Sequence, residues 1–194
     1  MQPKPGNELT EKEKKILLRV ARASISAAVG HTPPPELDIQ TQSPSLRADG
    51  ASFVTLTKNG RLRGCIGTMQ PYQPLIADVQ EHAIASAMSD FRFPQVKENE
   101  LAEIKIEISR LTPLVKLSYH TTEELINSLR VGIDGVLIRS ASGQATFLPQ
   151  VWEQLPKPEE FLSHLCLKMG VSSDYWKEHQ MQVFTYQVEK FREE

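Results

Sequence analysis

The residues best suited to chemistry lie in one short run, Leu62-Arg63-Gly64-Cys65-Ile66-Gly67. Side chains alternate between the two faces of an extended strand, so Arg63, Cys65 and Gly67 are predicted to share a face. A cation close to a thiol favours the reactive thiolate form. Gly64 and Gly67 lack side-chain bulk, so a ligand or another backbone segment could approach the thiol. The run predicts a thiol site, with Cys65 as nucleophile or redox group and Arg63 as electrostatic support or anion anchor.

Packing is the competing explanation for Cys65. Free cysteine is among the most buried residue types, and glycines on strands also mark bulges that have no function. The second cysteine, Cys166, lies on the apolar stripe of a later helix and is expected in the core. Two cysteines at this spacing resemble neither a disulfide framework nor a zinc site, and free thiols are typical of a reducing compartment.

Four further residues are candidates for the same site. His82 lies at the edge of an apolar helix stripe and could accept a proton from the thiol, or make only a local hydrogen bond. Asp90 and Arg92 form a candidate substrate-binding charge pair, with a surface ion pair as the alternative. Gln150 carries both a donor and an acceptor and could form a second wall of the site, or bond a loop backbone. Gly64 and Gly67 complete the substrate-binding set. No metal-ligand motif is present in the sequence, and the cofactor stays open.

A hairpin and a helix must position these residues. Thr10 and Glu13 have the spacing of a capping box, which predicts the start of a helix that Gly30 ends. Asn59-Gly60 is typical of a two-residue β-hairpin turn. The elements predicted for the first half, in chain order, are a helix over 10–29, strands over 52–57 and 61–68, a helix over 75–89 and a strand over 104–111.

The second half repeats this order of elements. It has predicted strands over 136–138 and 145–148, a helix over 158–170 and a strand over 182–191. The repeat predicts an internal duplication of a hairpin-helix-strand unit. The expected fold is α+β: one domain over 1–194, with halves at 9–115 and 116–194 after a loose segment at 1–8. A central antiparallel, barrel-like sheet with flanking helices, and a cleft between the halves, are predicted.

Composition restricts the classes of function. The chain of 194 residues carries 22 Lys and Arg against 24 Asp and Glu, which disfavours a sequence-independent nucleic-acid binder. No apolar run is long enough to cross a bilayer, and the first residues lack a secretory hydrophobic stretch. These features predict a cytoplasmic protein that does not associate with membranes.

The run at 62–67 resembles the signature hexapeptide of the AMMECR family, named for the Alport syndrome, midface hypoplasia and elliptocytosis chromosomal region. The resemblance covers most of the chain from about Leu9 onward. It extends over residues 85–94, 107–109, 132–135, 147–151 and 161–170. Two positions depart from the pattern, because Phe91 stands where family members typically have Pro, and Gln95 where a second Pro is common.

The resemblance implies an α+β fold with two related halves and a cleft between them. It also implies partners, since prokaryotic members are similar to the A component of a system with a Memo-type protein and a radical S-adenosylmethionine enzyme. No settled activity comes with the family. Two hypotheses follow: an enzyme that acts through Cys65 on a small molecule or peptide end in the cleft, or a non-catalytic ligand- or protein-binding module that uses the same cleft.

Overall fold

The first helix begins where the sequence predicts it. In the computed structural model, which describes residues 8–193, the Glu13 N–H donates to Thr10 Oγ1 over 3.3 Å. The Thr10 N–H in turn donates to Glu13 Oε2 over 2.7 Å, which completes the capping box. The segment predicted to be loose, 1–8, lies outside the described residues except for Glu8.

The described chain alternates helices and strands. The helices are α1 (Glu11–Val29), α2 (Pro44–Arg47), α3 (Leu75–Met88), α4 (Thr122–Ser128), α5 (Pro158–Met169) and α6 (Tyr175–Glu178). The strands are β1 (Asp49–Lys58), β2 (Arg61–Gly67), β3 (Gln73–Pro74), β4 (Ile104–Leu111), β5 (Val115–Lys116), β6 (Gly135–Ser140), β7 (Gly143–Phe147), β8 (Gln182–Tyr186) and β9 (Val188–Arg192).

The chain divides into two compact units. The first unit runs to Thr112 and resumes at Glu189, and the second comprises Pro113–Val188. In the first unit the strands are ordered β2-β1-β4-β9, with β3 also paired to β1. Its core contains apolar residues of α1 and α3 packed against one face of this sheet, on which Val54, Leu56 and Ile108 lie.

The second unit has a sheet and a core of its own. Its strands are ordered β5-β8-β6-β7, and all its pairings are antiparallel. Phe161, Leu165 and Cys166 of α5 pack with Val136 and Val183 of the sheet. Cys166 is fully buried, as predicted, and burial raises the pKa of its thiol.

The α+β class is confirmed, and two details of the predicted fold are wrong. The described strands form two separate sheets in place of one barrel-like sheet. The strand predicted over 182–191 is two strands, β8 and β9, and they join different sheets. The chain therefore returns to the first unit at Glu189, beyond the boundary predicted between the halves.

The two sheets share one order of strands. In each, the first strand of a hairpin pairs with both the second strand of that hairpin and the strand after the helix: β2-β1-β4 and β7-β6-β8. A common origin of the two units stays a prediction.

Among residues 8–193, no helix combines the length and apolar character needed to span a bilayer.

Candidate functional site

A bulge in the first hairpin sets the position of Cys65. Asn59 and Gly60 both have positive φ, at 52° and 74°, as the predicted tight turn requires. Lys58 pairs with Arg61, but Leu56 pairs with Gly64, so β2 contains one residue more than β1 over this stretch. The extra residue is a β-bulge at Arg63, and it brings Cys65 opposite Thr55.

The Cys65 thiol is half-buried and lies on the face of the first sheet opposite α1 and α3. Its Sγ is 3.3 Å from the hydroxyl of Thr55, which alternates with the core residues Val54 and Leu56. Glu107 on β4 pairs with Thr55 from the other side and is also half-buried. Cys65, Thr55 and Glu107 therefore form a polar row across three strands.

Asp90 and Arg92 surround the backbone of Cys65. The Cys65 N–H donates to Asp90 Oδ2 over 2.8 Å, and Arg92 Nη2 donates to the Cys65 carbonyl over 3.1 Å. The Arg92 side chain also donates to Asp90 twice, from Nε over 2.9 Å and from Nη2 over 2.6 Å. The Asp90 side chain is only 2% exposed, whereas that of Arg92 is 44% exposed. A buried carboxylate thus fixes a cation that reaches solvent beside Cys65.

The charges in this group stabilise one another. Hydrogen bonds from Arg92, with further ones from the N–H groups of Cys65 and Arg92, hold the pKa of Asp90 far below its usual range. The Asp90 carboxylate, and more weakly the charge of a Cys65 thiolate, raise the pKa of Arg92. Both groups of the pair are therefore ionised at neutral pH.

Arg63 is bound elsewhere. Its Nε and Nη2 donate to Glu100 over 3.0 and 2.9 Å, and its Nη1 and Nη2 donate to the carbonyls of Pro94 and Gln95 over 2.8 and 3.2 Å. Hydrogen bonds from Arg63, with further ones from the Lys97 N–H and the Lys58 side chain, lower the pKa of Glu100 to about 2. All three nitrogens of Arg63 thus hold the loop after α3, and the guanidinium bonded to Cys65 is that of Arg92.

The space beside the two glycines of the run is occupied by this chain. A Cβ on Gly64 would lie 2.1 Å from the carbonyl oxygen of Ser86 on α3. A Cβ on Gly67 would lie 2.3 Å from the carbonyl oxygen of Ser52 on β1. Close approach of backbone explains both glycines, and a role for either in binding substrate stays a prediction.

His82 is not brought to Cys65. It is 5% exposed, and its Nδ1 lies 3.3 Å from Oδ2 of the fully buried Asp78. Asp78 accepts a hydrogen bond of 2.6 Å from Ser52, whose side chain is on the helix-covered face of β1. Cys65 is on the other face, so His82 is not positioned to accept its proton. Burial opposes the imidazolium, but the carboxylate of Asp78 outweighs burial and raises the pKa of His82.

The helix α3 and the turn after it carry a polar series that the sequence pattern did not single out. Asp78, His82, Ser86 and Asp90 recur every four residues and are all buried. Ser86 Oγ accepts from the Ile66 N–H over 2.9 Å and donates to the Val54 carbonyl over 2.7 Å. With Asp90, it binds two successive N–H groups of β2. The spacing was visible in the sequence, but residues four apart share a helix face whether or not they contact a strand.

The candidate Gln150 and the residue Phe91 are both exposed. Gln150 lies in a short 3-10 helix, Pro149–Glu153, of the second unit and is exposed, so its part in the site stays a prediction. Phe91, which departs from the family pattern, is 94% exposed and directly precedes Arg92. Among residues 8–193, no group of three or more His, Cys, Asp or Glu side chains could hold a metal ion.

The fold and the site together define a class: α+β proteins with two similarly ordered sheets and a half-buried cysteine on a strand of the first. A family model described as AMMECR1 matches residues 18–191. The protein MK0488 of Methanopyrus kandleri is 35% identical, and the alignment covers 97% of this chain and 92% of that protein. A protein of Thermococcus onnurineus is 38% identical over 92% of this chain and 89% of its own length.

A solved structure has the same fold. The crystal structure of the uncharacterized protein PH0010 from Pyrococcus horikoshii matches with a TM-score of 0.75 and 32% identity. The match covers 96% of this chain and 94% of that one. The chain therefore belongs to the AMMECR1 family.

Proposed function

We propose that the protein is an enzyme that acts through Cys65 on a small molecule or peptide end, and that Arg92 binds an anionic group of this substrate. The observation that carries the proposal is the half-exposed guanidinium fixed by Asp90 and bonded to the Cys65 carbonyl over 3.1 Å. A guanidinium binds carboxylates and phosphates with defined geometry. Arg92 thus replaces Arg63 in the role of anion anchor.

Two neighbours support a reacting thiol. Thr55 Oγ1, 3.3 Å from the sulfur, can donate to a thiolate or accept from the thiol. Glu107, next in the row, is half-buried and could accept a proton through Thr55 or a water molecule. His82 has no place in this mechanism, because it lies on the opposite face of the sheet.

Alkylation with two probes of similar size tests the proposal. Iodoacetate is anionic and iodoacetamide is neutral; with either, the sulfur–carbon bond forms, iodide leaves with its electron pair, and the thiol proton passes to buffer. We expect the ratio of the iodoacetate rate to the iodoacetamide rate to be about tenfold higher for Cys65 than for free cysteine. Arg92→Gln should abolish the preference, because the anion loses its partner.

The matched control is Arg61→Gln, which removes an exposed cation from the same strand. It should leave the preference intact, and Cys65→Ala should remove the labelled site. Equal ratios for Cys65 and free cysteine, or equal losses in the two arginine variants, would contradict an anchoring role of Arg92.

A binding module is the second candidate. It is favoured by the Asp90 and Arg92 bonds to the Cys65 backbone, which do not involve the sulfur. Mass spectrometry of the gently purified protein identifies a ligand that stays bound to it. For a binding module, Cys65→Ala should retain this ligand and Arg92→Gln should lose it. Loss in both variants supports the enzyme.

The family resemblance supports partners as well. We propose a Memo-type protein and a radical S-adenosylmethionine enzyme, and co-purification of the tagged chain from its own cells tests this. Recovery of neither protein under mild conditions would count against the assignment.

A further inference from the structure

The second unit contains an open cavity of about 700 Å³, remote in sequence from the Cys65 run. Three segments line it, 116–120, 139–141 and 180–182, at the point where β5 and β6 end and β8 begins. Its volume is within the range of small-molecule sites.

The cavity has a fixed floor. The buried Tyr119 hydroxyl donates to the Met181 carbonyl over 2.8 Å and accepts from the Met181 N–H over 3.0 Å. These bonds tie the segment after β5 to the start of β8. Burial raises the pKa of Tyr119, so the hydroxyl keeps its proton and adds no negative charge to the floor.

The cavity lining contains basic side chains and no carboxylate. Lys116, His120 and Arg139 line it, and no Asp or Glu does. The acidic residue Glu124 lies beside the rim of the cavity, where its carboxylate accepts a hydrogen bond of 2.7 Å from the His120 N–H. The remaining polar lining comes from hydroxyl and amide side chains, which can bind the uncharged part of a ligand: Ser118, Ser140, Gln180 and Gln182.

Strand register fixes the positions of the two permanent cations. Lys116 pairs with Phe184, and Arg139 pairs with Gln182, so all four side chains lie on one face of the sheet. Because β8 lies between β5 and β6, the strands that carry the cations are about 9.5 Å apart, and their positions are also offset by two residues, about 7 Å, along β8. Arg139 is held by Gln144 Oε1 at 3.1 Å and lies over the ring of Phe184 at 5.5 Å. The Lys116 ammonium makes no hydrogen bond or ion pair with any other residue of 8–193.

We infer that this cavity is a binding site for a small polyanion, a molecule of up to nucleotide size with two or more phosphate or carboxylate groups. Two cations on strands either side of β8 can engage two anionic groups of one ligand at once. An anionic ligand neutralises the charges of Lys116 and Arg139, because the lining contains no carboxylate that could do so. The site does not depend on the chemistry proposed for Cys65.

Calorimetric titration of the full chain with pyrophosphate and, separately, with citrate tests the inference at low and at physiological salt. We expect at least one of the two to bind, with the stronger one identifying phosphate or carboxylate as the preferred group. The double variant Lys116→Gln/Arg139→Gln should weaken that binding at least tenfold. Both side chains are exposed, so the variant should keep the melting temperature of the wild type.

The control has the same change in net charge. Lys157→Gln/Lys177→Gln removes two exposed lysines of the second unit that pair with Glu160 and Asp174 outside the cavity. This variant should bind the anion as the wild type does. Equal weakening in the two double variants would show attraction by overall charge only and would overturn the inference, as would failure of both anions to bind at low salt.

Discussion

In the first unit, the buried His82 lies next to the buried carboxylate of Asp78, and the charge of this histidine depends on pH. Oδ1 of Asp78 and Nδ1 of His82 have no well-aligned hydrogen-bond partner among the described residues, although Oδ2 lies 3.3 Å from Nδ1. The attraction between the two groups is therefore largely electrostatic. It stabilises the fold only while His82 is protonated.

The sign of the pH effect follows from the raised pKa. The contribution of His82 is fully present below its unfolded pKa, near 6.5, and is lost as pH rises through the higher pKa of the folded protein. We expect His82→Gln to reduce the free energy of unfolding most below pH 6.5 and progressively less above it. Urea unfolding across this range measures the difference.

Asp78→Asn provides the matched test of the cause. Without the Asp78 carboxylate, burial is opposed only by the weaker attraction of Glu81, so the His82 pKa should fall, as followed by NMR titration of the imidazole protons. An unchanged His82 titration in this variant would assign the raised pKa to another group.

At the residue scale, the sequence identified Cys65, Asp90 and Arg92, which the structure does bring together. The sequence placed Arg63 beside the thiol, whereas the guanidinium bonded to the Cys65 carbonyl is that of Arg92. Arg63 is close to Cys65 along the chain, whereas Arg92 is 27 residues away. Arg63 is bound instead by Glu100, 37 residues beyond it. Pairing at that separation is a tertiary property that strand alternation cannot supply.

At the element scale, the backbones of α3 and β2 contact each other directly at Gly64, with no side chain between them. Gly64→Ala would place a methyl group 2.1 Å from the Ser86 carbonyl oxygen, which is backbone and cannot rotate away. We expect a loss of about 3 kcal/mol or more in the free energy of unfolding, because the helix must move. Denaturant unfolding measures it.

Gly132→Ala is the control for this substitution. Gly132 has a φ of 77° and open space around its missing Cβ, so alanine there has only backbone strain, about 1 kcal/mol. A loss for Gly64→Ala no larger than that for Gly132→Ala would mean that α3 yields easily. The two variants therefore separate steric overlap from backbone conformation.

Elements with strong local signals were predictable. The capping box of α1, the turn at Asn59-Gly60 and the helix α3 are all found within a residue or two of their predicted places. The bulge at Arg63 was not predictable, because an ideal two-residue hairpin would place Arg63, and not Gly64, opposite Leu56. That single added residue decides which β1 side chain contacts the thiol.

At the scale of the whole molecule, the last strand joins the first sheet. Glu189 of β9 accepts from the Leu9 N–H over 3.2 Å and lies 3.3 Å from Lys14 and 3.4 Å from Arg110. Glu193 pairs with Arg22 and accepts from the Ile106 N–H over 3.1 Å. The sequence predicted one strand over 182–191, since nothing local marks the change from one sheet to the other at Gln187.

Removing residues 188–194 tests the contribution of β9. The N–H groups of β4 that face β9 lose their partners, so their protection against hydrogen exchange should fall about tenfold or more, measured by NMR or mass spectrometry. Lys190→Ala, which alters only an exposed side chain of β9, should preserve it. Undiminished protection of β4 in the truncated chain would refute the role given to β9.

The return of the chain to its first sheet also governs the order of events at the ribosome. The second unit is continuous, so all of its strands and helices emerge one after another and can assemble as soon as they leave the exit tunnel. The first unit, by contrast, keeps the β4 edge uncovered until β9 has been synthesised. A nascent chain halted before Val188 would thus present an unpaired strand edge to chaperones and to other nascent chains.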